Sequence, residues 1–375
     1  MNFLLLPDKF KGSLTAQQLI LSIKRGVLKA LPGAEFEDVV ASDGGDGFLD
    51  AVAEYRATDS ITTVVVDPLG RELTTTMLIN SATGEAFIEL AKASGLVLLN
   101  PNERSAMNTS TRGTGMQIRK AIEQGIRKIF IGLGGSATND AGMGIAFELG
   151  YRFLDAKGNS LLPIGANLEQ VHSINAEEVL PELDGTEIYA VNDVNNPLFG
   201  SEGAAQVYAA QKGASQKEIR ILDRGLQNLD LRVRQQLGVE GSRLPGAGAA
   251  GGTAYGLKCF LNAKFIGGTA FLLELAKIPE LIRSRKFDFI ITGEGKIDSQ
   301  TLSGKWINGV MKLGRAFQIP VVAVCGKLEV VPEQLKQAGL HEIIEVGDKE
   351  KPLEYNMTHA AELVENAVYH FFQNK

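Results

Sequence analysis

The 375-residue sequence has only two cysteines, four histidines and one tryptophan. Cys259 and Cys325 both sit in apolar stretches ("LKCFL" and "VVAVCGK"), which reads as buried, reduced thiols and excludes a disulfide framework. No pair of Cys or His has the spacing of a zinc site. His172, His341, His359 and His370 all fall outside the glycine-rich loops of the chain, so histidine-based catalysis has little to work with and acid–base chemistry is left to carboxylates. Long apolar runs are also missing, since no stretch approaches the roughly 20 residues a membrane span needs. The opening "MNFLLLPDKFKG" breaks at Pro7-Asp8, too early for a secretory signal. No membrane partner is therefore expected, and the expected location is the cytoplasm.

An excess of positive charge is absent as well. With 38 Lys+Arg against 44 Asp+Glu the net charge is -6, which argues against a nucleic-acid partner. A local cluster of lysines can still receive a small anion on a mildly acidic protein. Glycine, by contrast, is plentiful: 42 residues, gathered in a few short clusters instead of a flexible linker. Hydrophobic content of 44% and charged content of 22% are those of a globular protein with a sizeable core. At about 150 residues per domain the length points to two domains. A homo-oligomer is compatible with this composition, although nothing like an exposed heptad seam marks an interface.

"NFLLLP" reads as a buried first strand. In "TAQQLILSIKRGVLKALPG", Leu19, Ile20, Ile23, Val27 and Leu31 recur at helical spacing, with Thr15 as cap and Pro32-Gly33 as stop. "FEDVVAS" and "ITTVVVD" read as further strands around a helical "GFLDAVAEY", the alternation of a parallel sheet. From Arg71 the texture changes, and "RELTTTMLINSATGEAFIEL" reads as two strands joined at Ala82-Thr83-Gly84. "FDFIITGEG", "IPVVAVCG" and "HEIIEV" return to apolar strands alternating with helices, and "THAAELVENAVYHFF" closes the chain as a helix. The expected fold class is α/β with two domains: a doubly wound parallel sheet built from residues 1–72 and 287–375, and an inserted α/β domain with a mixed sheet over 73–286.

Ligands of open α/β sheets sit where strands lead at their carboxyl ends into loops and helix N-termini. The loops "PDKFKGSLT", "SDGGDG", "LGGSATNDAG", "NDVNNPLFG" and "TGEGKIDSQT" all follow strands and carry carboxylates or lysines, and "PGAGAAGGTAYG" opens a helix. They are expected to share one active-site cleft. Within "GLGGSATND", Gly132 to Ala137 satisfies G-x-G-x-x-A, with Asp155 downstream, the fingerprint of an NAD(P)-linked oxidoreductase. Thr138, Asn139 and Asp140 oppose that reading. A carboxylate beside a pyrophosphate is repelled unless Mg²⁺ intervenes, whereas hydroxyls and an amide suit phosphate oxygens. No Walker A, H-R-D or D-F-G motif is present, so phosphoryl transfer would use another framework. A non-catalytic organic-acid or nucleotide sensor is the third reading, and it leaves the carboxylates without a task.

Taken together, "PDKFKGSLTA", "SDGGDG", "DPLGR", "KASGL", "GLGGSATNDAGMG", "NDVNNPLFGSEGA", "QKGAS", "PGAGAAGG" and "TGEGKIDSQTLSGK" resemble, in order and over nearly the whole chain, the bacterial glycerate kinase family of the glycerate 2-kinase type. The resemblance implies a Rossmann- or flavodoxin-like domain plus a second α/β domain. It also implies Mg-dependent transfer of the ATP γ-phosphoryl group to a hydroxyl of D-glycerate, with 2-phosphoglycerate as the favoured product. The sequence departs from the family's usual residues at Asp46 (Glu), Lys296 (Arg), Met116 (Glu) and Ala141 (Gly).

On this reading Asp193 is the base or orienter of the glycerate hydroxyl, or else an Asx-turn residue. Lys9 and Lys11 join it as catalytic candidates, and Lys212 is a candidate for the glycerate carboxylate or the transferring phosphoryl group. Ser136, Thr138, Asn139, Gly293 and Glu294 are expected around substrate or phosphate. Asp43, Gly44, Gly45 and Asp46 are expected there too, the glycines permitting close backbone approach. Asp140 and Asp298 are the expected metal ligands, Asp298 with the alternative of capping a helix.

Overall fold

A computed structural model describes residues 1–39, 47–298 and 306–373. The chain divides into two compact units, Met1–Asp43 with Thr269–Lys375, and Gly44–Gly268. The described strands begin with Asn2–Pro7 (β1), Glu35–Asp38 (β2), Asp59–Val66 (β3), Glu72–Asn80 (β4), Glu85–Glu89 (β5) and Lys128–Gly132 (β6). They continue with Arg152–Leu154 (β7), Ser173–Asn175 (β8), Glu187–Val191 (β9) and Lys264–Ile266 (β10). Phe289–Ile297 (β11), Val321–Leu328 (β12) and Glu342–Glu345 (β13) complete the set.

The first unit is built on a five-stranded sheet in the order β13-β12-β11-β1-β2, every neighbouring pair parallel. Both chain ends thus supply one doubly wound sheet, as the strand–helix alternation implied. The helix Ala16–Ala30 starts at Thr15, whose side chain accepts from the Gln18 amide while the Gln18 side chain answers back to the Thr15 backbone. Leu19, Ile20, Ile23 and Val27 form its buried stripe, in a core shared with Val364, Val368 and Phe372 of the final helix Ala360–Phe372. Phe3, Phe289 and Phe372 add an aromatic cluster with centroid separations from 5.2 to 5.9 Å.

The second unit carries a six-stranded sheet in the order β10-β9-β6-β5-β4-β3. β5, β6, β9 and β10 are parallel, while β3–β4 and β4–β5 are antiparallel. The core beneath it includes Ile88, Ile131, Ile145, Ala190, Leu226 and Tyr255. Strands β7 and β8 form a separate antiparallel pair.

Two expectations differ from this architecture. The sequence places the strand "ITTVVVD" in the first sheet, with the boundary at 72/73, yet β3 pairs antiparallel with β4 from Asp59↔Ile79 to Val66↔Glu72. The cause is the turn "DPLGR": the Asp67 carboxylate accepts from the backbone of Leu69 (2.8 Å) and Arg71 (3.0 Å) and folds the chain into a hairpin. At the other end, Thr269 onwards joins the first unit, so the expected segment 269–286 also changes sides. The second difference concerns the end of "FDFIITGEG", a strand expected to give way to the loop "TGEGKIDSQT". The strand instead runs on to Ile297, with Gly293, Glu294, Lys296 and Ile297 paired with Val324, Cys325, Lys327 and Leu328 of β12.

Candidate active site at the ends of the parallel strands

In the second unit, β6 and β9 are adjacent and in register at Gly132↔Val191, so the segments that leave their carboxyl ends start side by side. The first runs from Leu133 to Gly142 before the helix Met143–Glu148. It is closed from behind by the glycine-rich segment at the start of the helix Ala249–Leu261, where Ala250, Gly251 and Gly252 are successively left-handed (φ 53°, 67° and 85°). Gly251 has no alternative: a Cβ there would collide with the Thr138 carbonyl oxygen and come within 2.7 Å of Asn139 Cα. The Gly251 carbonyl in turn accepts from the Ala141 amide at 3.1 Å, and the Gly248 amide donates to the Asn196 carbonyl at 2.9 Å. The loops after β6 and β9 are thereby held to one scaffold.

Asp140 orders the first loop. Its carboxylate is wholly buried and accepts from the Thr111 amide and hydroxyl (2.8 Å each) and from the amides of Gly142 and Gly144 (3.2 Å each). Burial raises its pKa, and these bonds oppose the rise. Three of these bonds reach Oδ2 and one reaches Oδ1, so protein donors already orient the carboxylate expected as a metal ligand. Ala141, left-handed at φ 53°, follows directly, a conformation that a residue with a Cβ adopts at a cost.

Lys212 closes the group. It ends a short turn after the helix Ala204–Tyr208, is 2% exposed, and donates from Nζ to Ser136 Oγ and to the Thr138 carbonyl at 2.7 Å each. Among the described residues no carboxylate lies within ion-pair distance of it. Burial pushes its pKa down to about 7, and the charge of Asp140 works in the opposite direction. Next to the lysine's acceptors, Thr138 Oγ1 and both amide atoms of Asn139 are buried without a hydrogen-bond partner. A buried cation beside orphaned donors and acceptors is an incomplete constellation, of the kind an oxyanion completes.

Asp193 follows β9 and is half-buried, and a Cβ on Gly267 would come within 3.2 Å of its Oδ1. The structure thus brings Ser136, Thr138, Asn139, Asp140 and Lys212 together, with Asp193 on the neighbouring loop. A second group lies in the first unit, at the ends of β1 and β11, where Pro7 and Gly293 are paired and the Asp8 amide donates to the Gly293 carbonyl at 2.9 Å. Lys9 and Lys11 are exposed there. Glu294 is half-buried on β11, and Asp298 pairs with Lys296 at 3.2 Å. Asp43, Gly44, Gly45 and Asp46 lie outside the described residues. Cys259 and Cys325 are buried with thiols pushed up to about 12, so neither is a nucleophile.

The oxidoreductase reading loses its geometry. A dinucleotide fingerprint needs a helix opening at its last small residue, whereas here the chain runs from Ala137 to Gly142 before the helix Met143–Glu148 begins. Asp155 follows an edge of the β7–β8 pair and accepts from the Lys157 and Asn159 amides, the bonds of a turn.

Two residues of the second unit escaped the sequence reading. Glu89, the last residue of β5 opposite Gly132, is 5% exposed, and its carboxylate accepts from the Leu49 amide at 3.1 Å. Burial raises its pKa, against the Leu49 and Gly47 backbone bonds. A glutamate ending the apolar run "AFIEL" was the available signal. Arg104, half-buried with an unpartnered Nε, gave none.

Fold and site define a class: a two-unit α/β enzyme whose glycine loops at parallel strand ends surround a buried lysine, as the handling of a small anionic substrate requires. Within that class the assignment is specific, because the model of the glycerate kinase family matches residues 3–374 and the chain belongs to that family. It is 36% identical over 361 residues to the glycerate kinase of Halalkalibacterium halodurans, covering 96% of this chain and 94% of the relative. Against the glycerate 2-kinase of Escherichia coli it is 35% identical over 346 residues, covering 92% and 90%. The fold matches, at a TM-score of 0.80 and 33% identity, the crystal structure of a protein provisionally assigned as glycerate kinase 2 from Salmonella typhimurium LT2, over 100% of this chain and 98% of that one. Among the described residues no helix is long and apolar enough to cross a membrane.

Proposed function

We propose that this protein transfers the γ-phosphoryl group of ATP to the 2-hydroxyl of D-glycerate, giving 2-phosphoglycerate and ADP. The observation that carries the reading is Lys212: a buried ammonium, held by Ser136 and Thr138 beside the unpartnered Asn139 amide, in a chain of the glycerate kinase family. The name of the Escherichia coli relative favours the 2-position. In the reaction the substrate hydroxyl oxygen forms a bond to the γ-phosphorus as the bond to the β,γ-bridging oxygen breaks. ADP keeps that electron pair, and the hydroxyl proton passes to a carboxylate, assigned here to Asp193. Lys212 with Ser136, Thr138 and Asn139 neutralises and orients oxyanion charge. Lys9, Lys11, Gly293 and Glu294 are assigned to substrate or phosphate contacts, as are Asp43, Gly44, Gly45 and Asp46.

Magnesium supplies charge neutralisation on the phosphates when bound. Among the described residues no group of three or more His, Cys, Asp or Glu is placed to hold a metal. The cation would be held by one or two protein carboxylates, the usual arrangement for magnesium that accompanies a nucleotide. Asp298 is the carboxylate assigned to it, while Asp140, already accepting from four protein donors, is assigned the ordering of its loop. ADP release measured across D-glycerate, glycerol and hydroxypyruvate, with and without Mg²⁺, tests the reading. Release confined to glycerate with Mg²⁺ is expected, and nucleotide turnover indifferent to the acceptor would exclude it.

A further inference from the structure

Arg104 lies in the segment between the short turn Pro101–Glu103 and the helix Arg112–Glu123. Its Nε is buried without a hydrogen-bond partner, and among the described residues it makes no ion pair. The neighbouring Glu103 is not available to it, since that carboxylate receives Arg71 at 2.7 Å and the Asn100 amide at 3.0 Å. Arg104 is also the residue on which the Lys212 turn rests. Gly213, left-handed at φ 88°, cannot carry a side chain because a Cβ would collide with the Arg104 carbonyl and come within 3.1 Å of Arg104 Cβ. The chain therefore brings the backbone of an unpaired arginine against the turn that carries an unpaired buried lysine. Thr138 and Asn139, both 0% exposed, add orphaned polar atoms beside the lysine.

An arginine with a buried, unpartnered Nε and a buried lysine without an ion-pair partner among the described residues are each costly to the folded chain unless a negative group joins them. We propose that Arg104 and Lys212 form a two-cation subsite for an oxyanion, with Arg104 as a substrate-binding residue and Thr138 and Asn139 as its neutral partners. The ligand class is a carboxylate or phosphoryl group, whose paired oxygens match the planar guanidinium fork. Within the reaction proposed above, on which this inference rests, that group is the carboxylate of glycerate or a phosphate of ATP.

Binding and turnover separate the two claims. D-glycerate and inorganic tripolyphosphate serve as anionic probes and glycerol as the uncharged control, with binding read by calorimetry and by the shift in melting temperature. Arg104→Gln is expected to weaken one or both anionic probes about 10- to 100-fold, the loss of a charge-assisted bond. Arg104→Lys, which keeps charge without the fork, should fall between Arg104→Gln and the parent. Loss confined to glycerate places the acceptor there, and loss confined to tripolyphosphate places the nucleotide there. Either supports the subsite. Unchanged binding of both anions in a folded Arg104→Gln overturns it. Should Arg104→Gln fail to fold, an Arg104→Lys protein binding both anions like the parent overturns it equally. In the kinetic arm KM for the affected substrate should rise more than kcat falls, which a merely structural defect would not produce. A parent protein that binds the anions yet releases no ADP would sink the kinase reading while leaving this inference to its own variants.

Discussion

Replacing Lys212 by Met should stabilise the ligand-free protein near neutral pH and remove its activity. Burial lowers the Lys212 pKa from 10.5 to about 7. A displacement of roughly 3.5 units at about 1.36 kcal/mol each costs the folded state on the order of 5 kcal/mol while both folded and unfolded chains carry the charge. Against this stand the two bonds from Nζ to Ser136 Oγ and the Thr138 carbonyl, whose loss leaves acceptors costing about 1–2 kcal/mol each. The net gain for Lys212→Met is then about 1–3 kcal/mol at and below pH 7. The sign with pH follows from proton binding. Between about pH 7 and pH 10.5 the unfolded chain holds a proton at this position that the folded chain has released, so the stability of the parent rises with pH. The advantage of the variant should shrink by roughly 1.4 kcal/mol per unit and vanish near pH 8 to 9. Urea unfolding of both proteins by far-UV circular dichroism, from about pH 6 to about pH 9.5, isolates the difference because every other group is common to the pair. A difference independent of pH would refute the depressed lysine, and with it the preformed oxyanion receptor.

Other perturbations probe the same loops. An oxyanion bound at Lys212 should draw its pKa back up, so above pH 7 binding takes up a proton; calorimetry in two buffers of different protonation enthalpy reads the uptake directly. Gly251→Ala, with φ 67° and a methyl driven into Thr138, should cost more than about 2 kcal/mol of stability and most of the activity, measured by thermal melting and ADP release. Asp140→Asn confronts the donors of Thr111, Gly142 and Gly144 with an amide, and a loss of about 2–4 kcal/mol is expected in the same melt. Asp193→Asn should lower kcat about 10²- to 10⁴-fold with little change in KM or melting temperature, and unchanged turnover would take that residue out of the proton-accepting role.

Periodicity made much of the scaffold legible. The helix Ala16–Ala30, its Thr15 cap, the parallel strands from both chain ends and the β4–β5 hairpin all follow from local pattern. What misled was the pairing of "ITTVVVD". A strand says nothing of its partner, and the signal lay in the five-residue turn "DPLGR", readable as a hairpin once Asp67 is given its Asx role. The strand "FDFIITGEG" is expected to stop at its glycines, yet Lys296 and Ile297 also pair with β12, and glycine in a strand is discouraged without being forbidden. In the site, the glycine loops announced themselves while the duties of their side chains did not. Asp140 reads as a metal ligand in the sequence, which cannot show the donors from Thr111, Gly142 and Gly144 that orient its carboxylate. Arg104 was invisible for the converse reason: lacking a partner is a property of packing, and its neighbour Gly213 is remote in sequence.

The position and origin of the transferred phosphoryl group test the proposed activity most directly. Mg-ATP and D-glycerate, incubated with the protein and followed by phosphorus NMR with proton coupling, should yield a phosphomonoester split by the single proton on carbon 2, in step with ADP. Splitting by the two protons of carbon 3 would contradict the assigned hydroxyl, and the absence of any glycerate phosphoester would contradict the kinase itself.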